Sequence, residues 1–148
     1  MADYSGAWSP DRVEAFLEDA TVPLRLGCHT PAGGPWLLSL WYRYRDGGFD
    51  LATGADAEVV RYLEADPAVA FEVSTNEVPY RGVRGNGAAS VAPDEGKATL
   101  RALLERYLGG TDSSLAQRLL DPAREEVRIR IEPDRVYSWD FSARMRDV

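Results

Sequence analysis

The chain has 148 residues, 24 of them acidic and 17 basic, for a net charge of −7, and that length suits one domain burying roughly two-thirds of its unfolded surface. No basic run or basic helical face exists to displace counterions from phosphates, which argues against a nucleic-acid partner. Cys28 is the only cysteine and His29 the only histidine, which excludes an intrachain disulfide, a CxxC metal site and a zinc centre. Lys97 is the only lysine; an acidic, lysine-poor surface is met in halophiles, and equally where codon usage favours arginine. The longest apolar run is too short to span a bilayer, and Met1-Ala2-Asp3-Tyr4 carries acid where a secretion signal carries base. A soluble cytoplasmic protein with no membrane partner is therefore expected.

In chain order, Ser9-Pro10-Asp11 reads as a capped helix start with Val13, Phe16 and Leu17 on its apolar side, lying across a barrel end. Thr21 to His29 reads as the first barrel strand, and Thr30 to Pro35 as the loop into the second. Cys28 and His29 point to opposite faces of that strand and do not form a catalytic dyad.

Trp36 to Arg45 reads as one long strand. Trp36, Leu38, Leu40, Tyr42 and Tyr44 occupy its buried face, and Leu37, Ser39, Trp41, Arg43 and Arg45 the open one. Asp46-Gly47-Gly48 supplies positive-φ turn residues, Phe49 and Leu51 resume the apolar side, and Thr53-Gly54 ends the return strand. Asp56 is expected to cap a short helix with Val59, Val60 and Leu63 in one stripe, stopped by Asp66-Pro67, and Val69 to Val73 forms the next strand.

This order of strand, turn, strand ending in Thr, short helix ending in Asp-Pro, and strand resembles the flavin-binding split-barrel family that includes pyridoxamine phosphate oxidase and the deazaflavin-dependent reductases. The resemblance covers about Val22 to Trp139. It implies an α+β, mainly antiparallel six-stranded split barrel in a single domain. It also implies a homodimer whose two subunits share each cofactor groove.

Under that resemblance the cofactor, FMN or alternatively a deazaflavin coenzyme, is held by the backbone of Leu37, Leu38, Ser39 and Leu40, together with Ala52 and Thr53. The oxidase members place an arginine at the start of the first strand and a basic pair after the Thr, to neutralise the flavin phosphate. Here those positions hold Leu37, Glu58 and Val59. The cations left to contact phosphate are Arg61, Arg81 and Arg84, the last two from the second subunit, and Trp139 stands where an indole stacks near the flavin. Cations for a phosphorylated substrate are not found, so the strict vitamin B6 reaction is not expected. The implied function is a flavin-dependent oxidoreductase acting on a small molecule, with no side chain needed as acid or base. The alternative is a non-catalytic ligand-binding or sensing dimer that has lost the phosphate site.

Beyond Val73, Arg81 to Ala92 reads as a long strand with Val83, Gly85, Gly87, Ala89 and Val91 on one face. Its two glycines either let a flat ring or a partner backbone approach closely or mark a bulge where the strand bends, and the bulge is the preferred reading. Asp94 caps the longest helix, with Leu100, Leu103, Leu104, Tyr107 and Leu108 at helical spacing and Gly109-Gly110 as its stop. Asp112-Ser113-Ser114 starts a shorter helix with Leu115, Leu119 and Leu120 inward, and the two helices form a cap or lid. Glu125 to Glu132 alternates as a strand with Glu126, Arg128, Arg130 and Glu132 outward. Pro133-Asp134 turns into a closing strand, Arg135 to Phe141, followed by a loose tail over 143–148. Trp41 either lines a substrate cavity or seals the barrel rim.

Overall fold

A computed structural model describes residues 2–147. It opens with a strand the sequence reading missed, β1 (Asp3–Gly6). Helix α1 (Pro10–Asp19) follows, with the Ser9 hydroxyl accepting from the Arg12 N–H at 3.3 Å and Val13, Phe16 and Leu17 buried as expected. The barrel strands are β2 (Leu24–His29), β3 (Pro35–Leu40), β4 (Arg43–Arg45), β5 (Gly48–Gly54), β6 (Ala68–Ser74), β7 (Arg81–Pro93) and β8 (Glu126–Asp140). Helix α2 (Glu58–Ala65) links β5 to β6, while α3 (Ala98–Leu108) and α4 (Ser114–Leu119) link β7 to β8.

The sheet has eight strands rather than six, in the order β3-β2-β6-β7-β8-β5-β4, with β1 parallel to β8. The expected strands also divide differently. The stretch 36–45 is two strands, and the strands expected on either side of Pro133 are one. β8 runs straight past Pro133 because a bulge lies there: Gly87 stands opposite Pro133 and Asn86 opposite Arg135. The missing proline N–H falls where the neighbour on the other edge changes from β5, ending at Ile131, to β1, starting at Arg135. Gly85 and Gly87 thus flank a bulge, as preferred. A Cβ on Gly85 would stand 2.0 Å from the Arg135 carbonyl oxygen, so the two backbones leave no room for a side chain.

The two ends of this sheet, β3 and β4, are separated in sequence only by Trp41 and Tyr42. A sheet whose first and last strands are joined by two residues must curl until its edges meet, and the result is a barrel with one seam. Tyr42 marks the seam: its N–H bonds the Tyr107 hydroxyl at 3.2 Å instead of a neighbouring strand, and its own hydroxyl donates to the Leu17 carbonyl at 2.7 Å. The Arg106 guanidinium donates to the same helix end, at Leu17, Glu18 and Ala20, replacing the basic residue α1 lacks in its last turn.

Local departures have identifiable causes. The hairpin turn uses Asp46 (φ 51°) and Gly47 (φ 73°), while Gly48 is already extended and paired with Arg45. The N-cap of α2 is Ala57 rather than Asp56, with no side-chain bond to the helix. The first barrel strand starts at Leu24, not Thr21. Leu108 and Leu115, expected inward, are exposed, and Ala116 takes the buried place in α4. Glu126, expected outward, is buried. The tail over 143–147 is a run of turns with the Met145 N–H on the Phe141 carbonyl; Val148, like Met1, lies outside the described residues. Among the described residues no helix is long and apolar enough to cross a membrane.

Asp94 caps α3 from a distance. A short turn of helix at 95–97 intervenes, yet the Asp94 carboxylate accepts from the Thr99 and Leu100 N–H groups, each at 3.0 Å, in buried surroundings. Asp94→Ala is expected to cost about 1–2 kcal/mol by removing both acceptors. Urea denaturation measures this, and an unchanged midpoint would show that the cap contributes nothing.

Candidate functional site

The seam is where the expected cofactor residues converge. β4 pairs with β5 as far as Arg43–Asp50 and the ladder stops. Continued unchanged, its register would set Trp41 against Ala52 and Leu40 against Thr53; instead β3 swings away to pair with β2. The outer edge of β3 and the Leu51–Gly54 edge of β5 are therefore both unpaired by the sheet, and face one another across the opening. Unpaired edges offer rows of N–H donors and C=O acceptors to whatever enters.

Part of the wedge is filled by protein. Trp41 stacks on Tyr107 with ring centroids 4.9 Å apart and planes 7° apart, and packs with Ala52 against Leu100, Leu104 and Ala116. Trp41 thus seals the rim, and α3 and α4 cover Ala52. Thr53, at the end of β5, is half-buried. Leu38 and Leu40 are half-buried on the core side of β3, while Leu37 and Ser39 are exposed on the other face.

At the seam end of the ladder stands Asp50, which the sequence reading did not single out. It is 1% exposed and accepts from Arg45 Nε at 2.9 Å, Arg43 Nη2 at 3.2 Å and Arg130 Nη1 at 3.3 Å. Burial alone would raise its carboxyl pKa, but the hydrogen bonds from Arg45 and Arg130 outweigh it and hold the group below its ordinary value. The signal in the sequence was the pair Arg43 and Arg45 on one face of β4, across a two-residue turn from an acid.

The turn after Thr53 holds the positions where the resemblance expects cations. Glu58 is exposed, and Val59 is 1% exposed, with its side chain in the core. Arg61 is exposed beside Tyr62, 5.7 Å from the ring centroid. Arg81 and Arg84 lie on β7, away from this turn; the Arg84 guanidinium sits 4.5 Å from the Tyr137 ring and 5.4 Å from the Trp139 ring. One chain thus brings Leu37–Leu40, Ala52 and Thr53 to the seam but not Arg81, Arg84 or Trp139. The seam's backbone edges suit the polar rim of a flat ring, whereas the residues after Thr53 do not suit a phosphate.

The outer face of the sheet carries two adjoining grooves, of about 610 and 430 Å³, which share Gly27, Leu37 and Ala70. Leu37 is 69% exposed and Tyr137 39%. Arg25, Arg84, Arg135 and Glu72 line the larger groove. Cys28 is buried and His29 is exposed, 3.5 Å from Asp66, so the two side chains diverge as expected. Burial, helped by the Asp66 charge, raises the Cys28 thiol above its usual pKa.

Neither a family model nor a curated protein sequence matches the chain. Solved structures do. A conserved hypothetical protein of Mycobacterium tuberculosis is 26% identical with a TM-score of 0.75, over 90% of this chain and 86% of that one. An F420 reductase is 24% identical with a TM-score of 0.72, over 86% of this chain and 98% of that one. A candidate pyridoxamine 5'-phosphate oxidase from Listeria innocua is 17% identical with a TM-score of 0.66, over 86% and 95% of the two chains. With its seam between β3 and β5, this chain has the split-barrel α+β fold of the pyridoxamine 5'-phosphate oxidase-like proteins.

Proposed function

We propose that this protein is a flavin-type oxidoreductase that works as a homodimer, binding the ring of FMN or of a deazaflavin coenzyme at the seam. The observation that carries the reading is the interrupted ladder, which leaves the Leu37–Leu40 edge facing Thr53. Likeness to an F420 reductase over nearly all of that protein's length supports it. Bound there, the ring system supplies hydride transfer to or from a small molecule. The chain's own part is to hold the polar edge of the ring with β3 backbone groups and to exclude water with Leu38, Leu40 and the helical cover.

A second copy fits the grooved outer face. Leu37 projects from a surface kept flat by Gly27 and Ala70, and the arginines beside Glu72 allow charges to pair across a twofold axis. Docking there would bring Arg81, Arg84 and Trp139 of one copy toward the seam of the other. Leu37→Asp is expected to turn a dimer into a monomer in light scattering and to abolish ring binding together with it. A monomeric wild type would remove the shared groove.

The second reading, a ligand-binding or sensing dimer without turnover, is favoured by Leu37, Glu58 and Val59 at the phosphate positions. Titration with FMN and with the deazaflavin coenzyme, followed by visible absorption, separates the two. A bound chromophore that a hydride donor bleaches supports the oxidoreductase, and a protein that binds neither ring is not one.

A further inference from the structure

The turn between Thr53 and α2 faces a cleft of about 340 Å³, lined by Gly54, Ala55 and Asp56 on one side and by Ala123, Arg124 and Glu125 on the other. Its charges have the wrong sign for a phosphate. Asp56, Glu58 and Glu125 are exposed carboxylates at or beside it, and Glu126 lies buried behind Arg124. Two cations stand near it: Lys97, in an adjoining cleft that shares Ala55, Arg124 and Glu125, donates its Nζ to the Asp121 carbonyl at 2.6 Å, and Arg124 has its Nη2 3.8 Å from the point a Cβ on Gly54 would occupy. That guanidinium is already engaged, 3.3 Å from Glu126 Oε1, and Glu126 Oε2 has no hydrogen-bond partner among the described residues. The buried Glu126 carboxylate offsets the Arg124 charge, so little of it is left to attract a phosphate.

One feature favours an anion. The first turn of α2 has no side-chain cap; the Val60 N–H is taken by the Ala57 carbonyl at 3.1 Å, and the Glu58 and Val59 N–H groups ahead of it are open. A helix end supplies only about half a positive charge, which does not offset the surrounding carboxylates. The same N–H groups and carboxylates suit a hydroxyl, which accepts from the former and donates to the latter.

Resting on the reading of the seam as a ring site, we infer that this protein selects a cofactor whose ribityl tail ends in a hydroxyl at the Thr53–Glu58 turn, and discriminates against a terminal phosphate. The chemical class is riboflavin or a phosphate-free deazaflavin, in place of FMN or a phosphorylated coenzyme.

The test is titration of the purified protein with riboflavin and FMN, and with the phosphate-free deazaflavin and its phosphodiester coenzyme, read by fluorescence and absorption at several salt concentrations. In low salt the phosphate-free form should bind about tenfold tighter or more, and the gap should narrow as screening shortens from about 30 Å at 0.01 M to about 3 Å at 1 M. The double change Asp56→Asn with Glu58→Arg should narrow the gap in low salt, and because both residues are exposed its thermal melt should match the wild type. FMN binding as tightly as riboflavin would overturn the inference and leave the ring site standing, with cations then supplied by Arg61 or by a second copy. Binding of no ring in either form would remove both.

Discussion

Asp50→Ala is expected to destabilise the protein by about 3–5 kcal/mol, because it leaves three guanidinium groups converging on nothing. The carboxylate is 1% exposed, and the Arg130 side chain is only 15% exposed, so water cannot replace the lost partner there. Arg45 is half-exposed and recovers water readily, which places the effect nearer the lower bound. The hairpin should feel the loss first, since Asp50 ties Arg43 and Arg45 of β4 to Arg130 of β8 through one carboxylate. The pH dependence follows from the direction of the shift. A carboxyl whose folded pKa lies below its unfolded value of about 3.9 contributes its full stability above that value and loses it as pH falls through the folded one. Urea midpoints measured between neutral pH and about pH 3 should fall more steeply for the wild type than for Asp50→Asn. Parallel curves would show that the arginine cage carries no net energy.

Phe49→Ala should cost a comparable amount, about 3–5 kcal/mol. Phe49 is 1% exposed, with ring centroids 5.6 Å from Tyr42, 5.2 Å from Tyr44 and 4.9 Å from Phe71. Tyr44 is its partner in the β4–β5 ladder, while Tyr42 at the seam and Phe71 on β6 belong to parts of the sheet that no ladder joins to β5. Where hydrogen bonds do not close the barrel, aromatic packing does. A drop in melting temperature of roughly 10 °C is expected. A drop of a degree or two would mean that the surrounding rings collapse into the space.

The alternation of Trp36, Leu38, Leu40, Tyr42 and Tyr44 was legible because period-2 burial survives a break in pairing: both strands present the same face to the core. The break itself was not, since Trp41 and Tyr42 are good strand formers whose ladder is interrupted by a hydroxyl 65 residues away, on Tyr107. Pro133 misled for a related reason. A proline between two alternating runs reads as a turn unless its own strand is known to bulge there, with Asp134 unpaired between Pro133 opposite Gly87 and Arg135 opposite Asn86. β1 was missed because four residues without apolar alternation carry no signal of their own; its ladder exists only because β8 offers an edge. Of the site, Leu37 to Leu40 and Thr53 could be placed at an opening from their order in the chain. Arg124 could not, since its part depends on Gly54, far off in the chain, being brought beside it by the pairing of Gly54 with Glu126 across β5 and β8.

β8 comes last of the described strands, yet β7, β5 and β1 all pair with it, β7 along nearly its whole length. A nascent chain halted before Glu126 holds every helix and seven of its strands while lacking the one on which three of them depend. Its exposed edges are open to neighbouring chains until β8 emerges, so this fifteen-residue strand sets the moment at which the edges of the sheet are covered against aggregation.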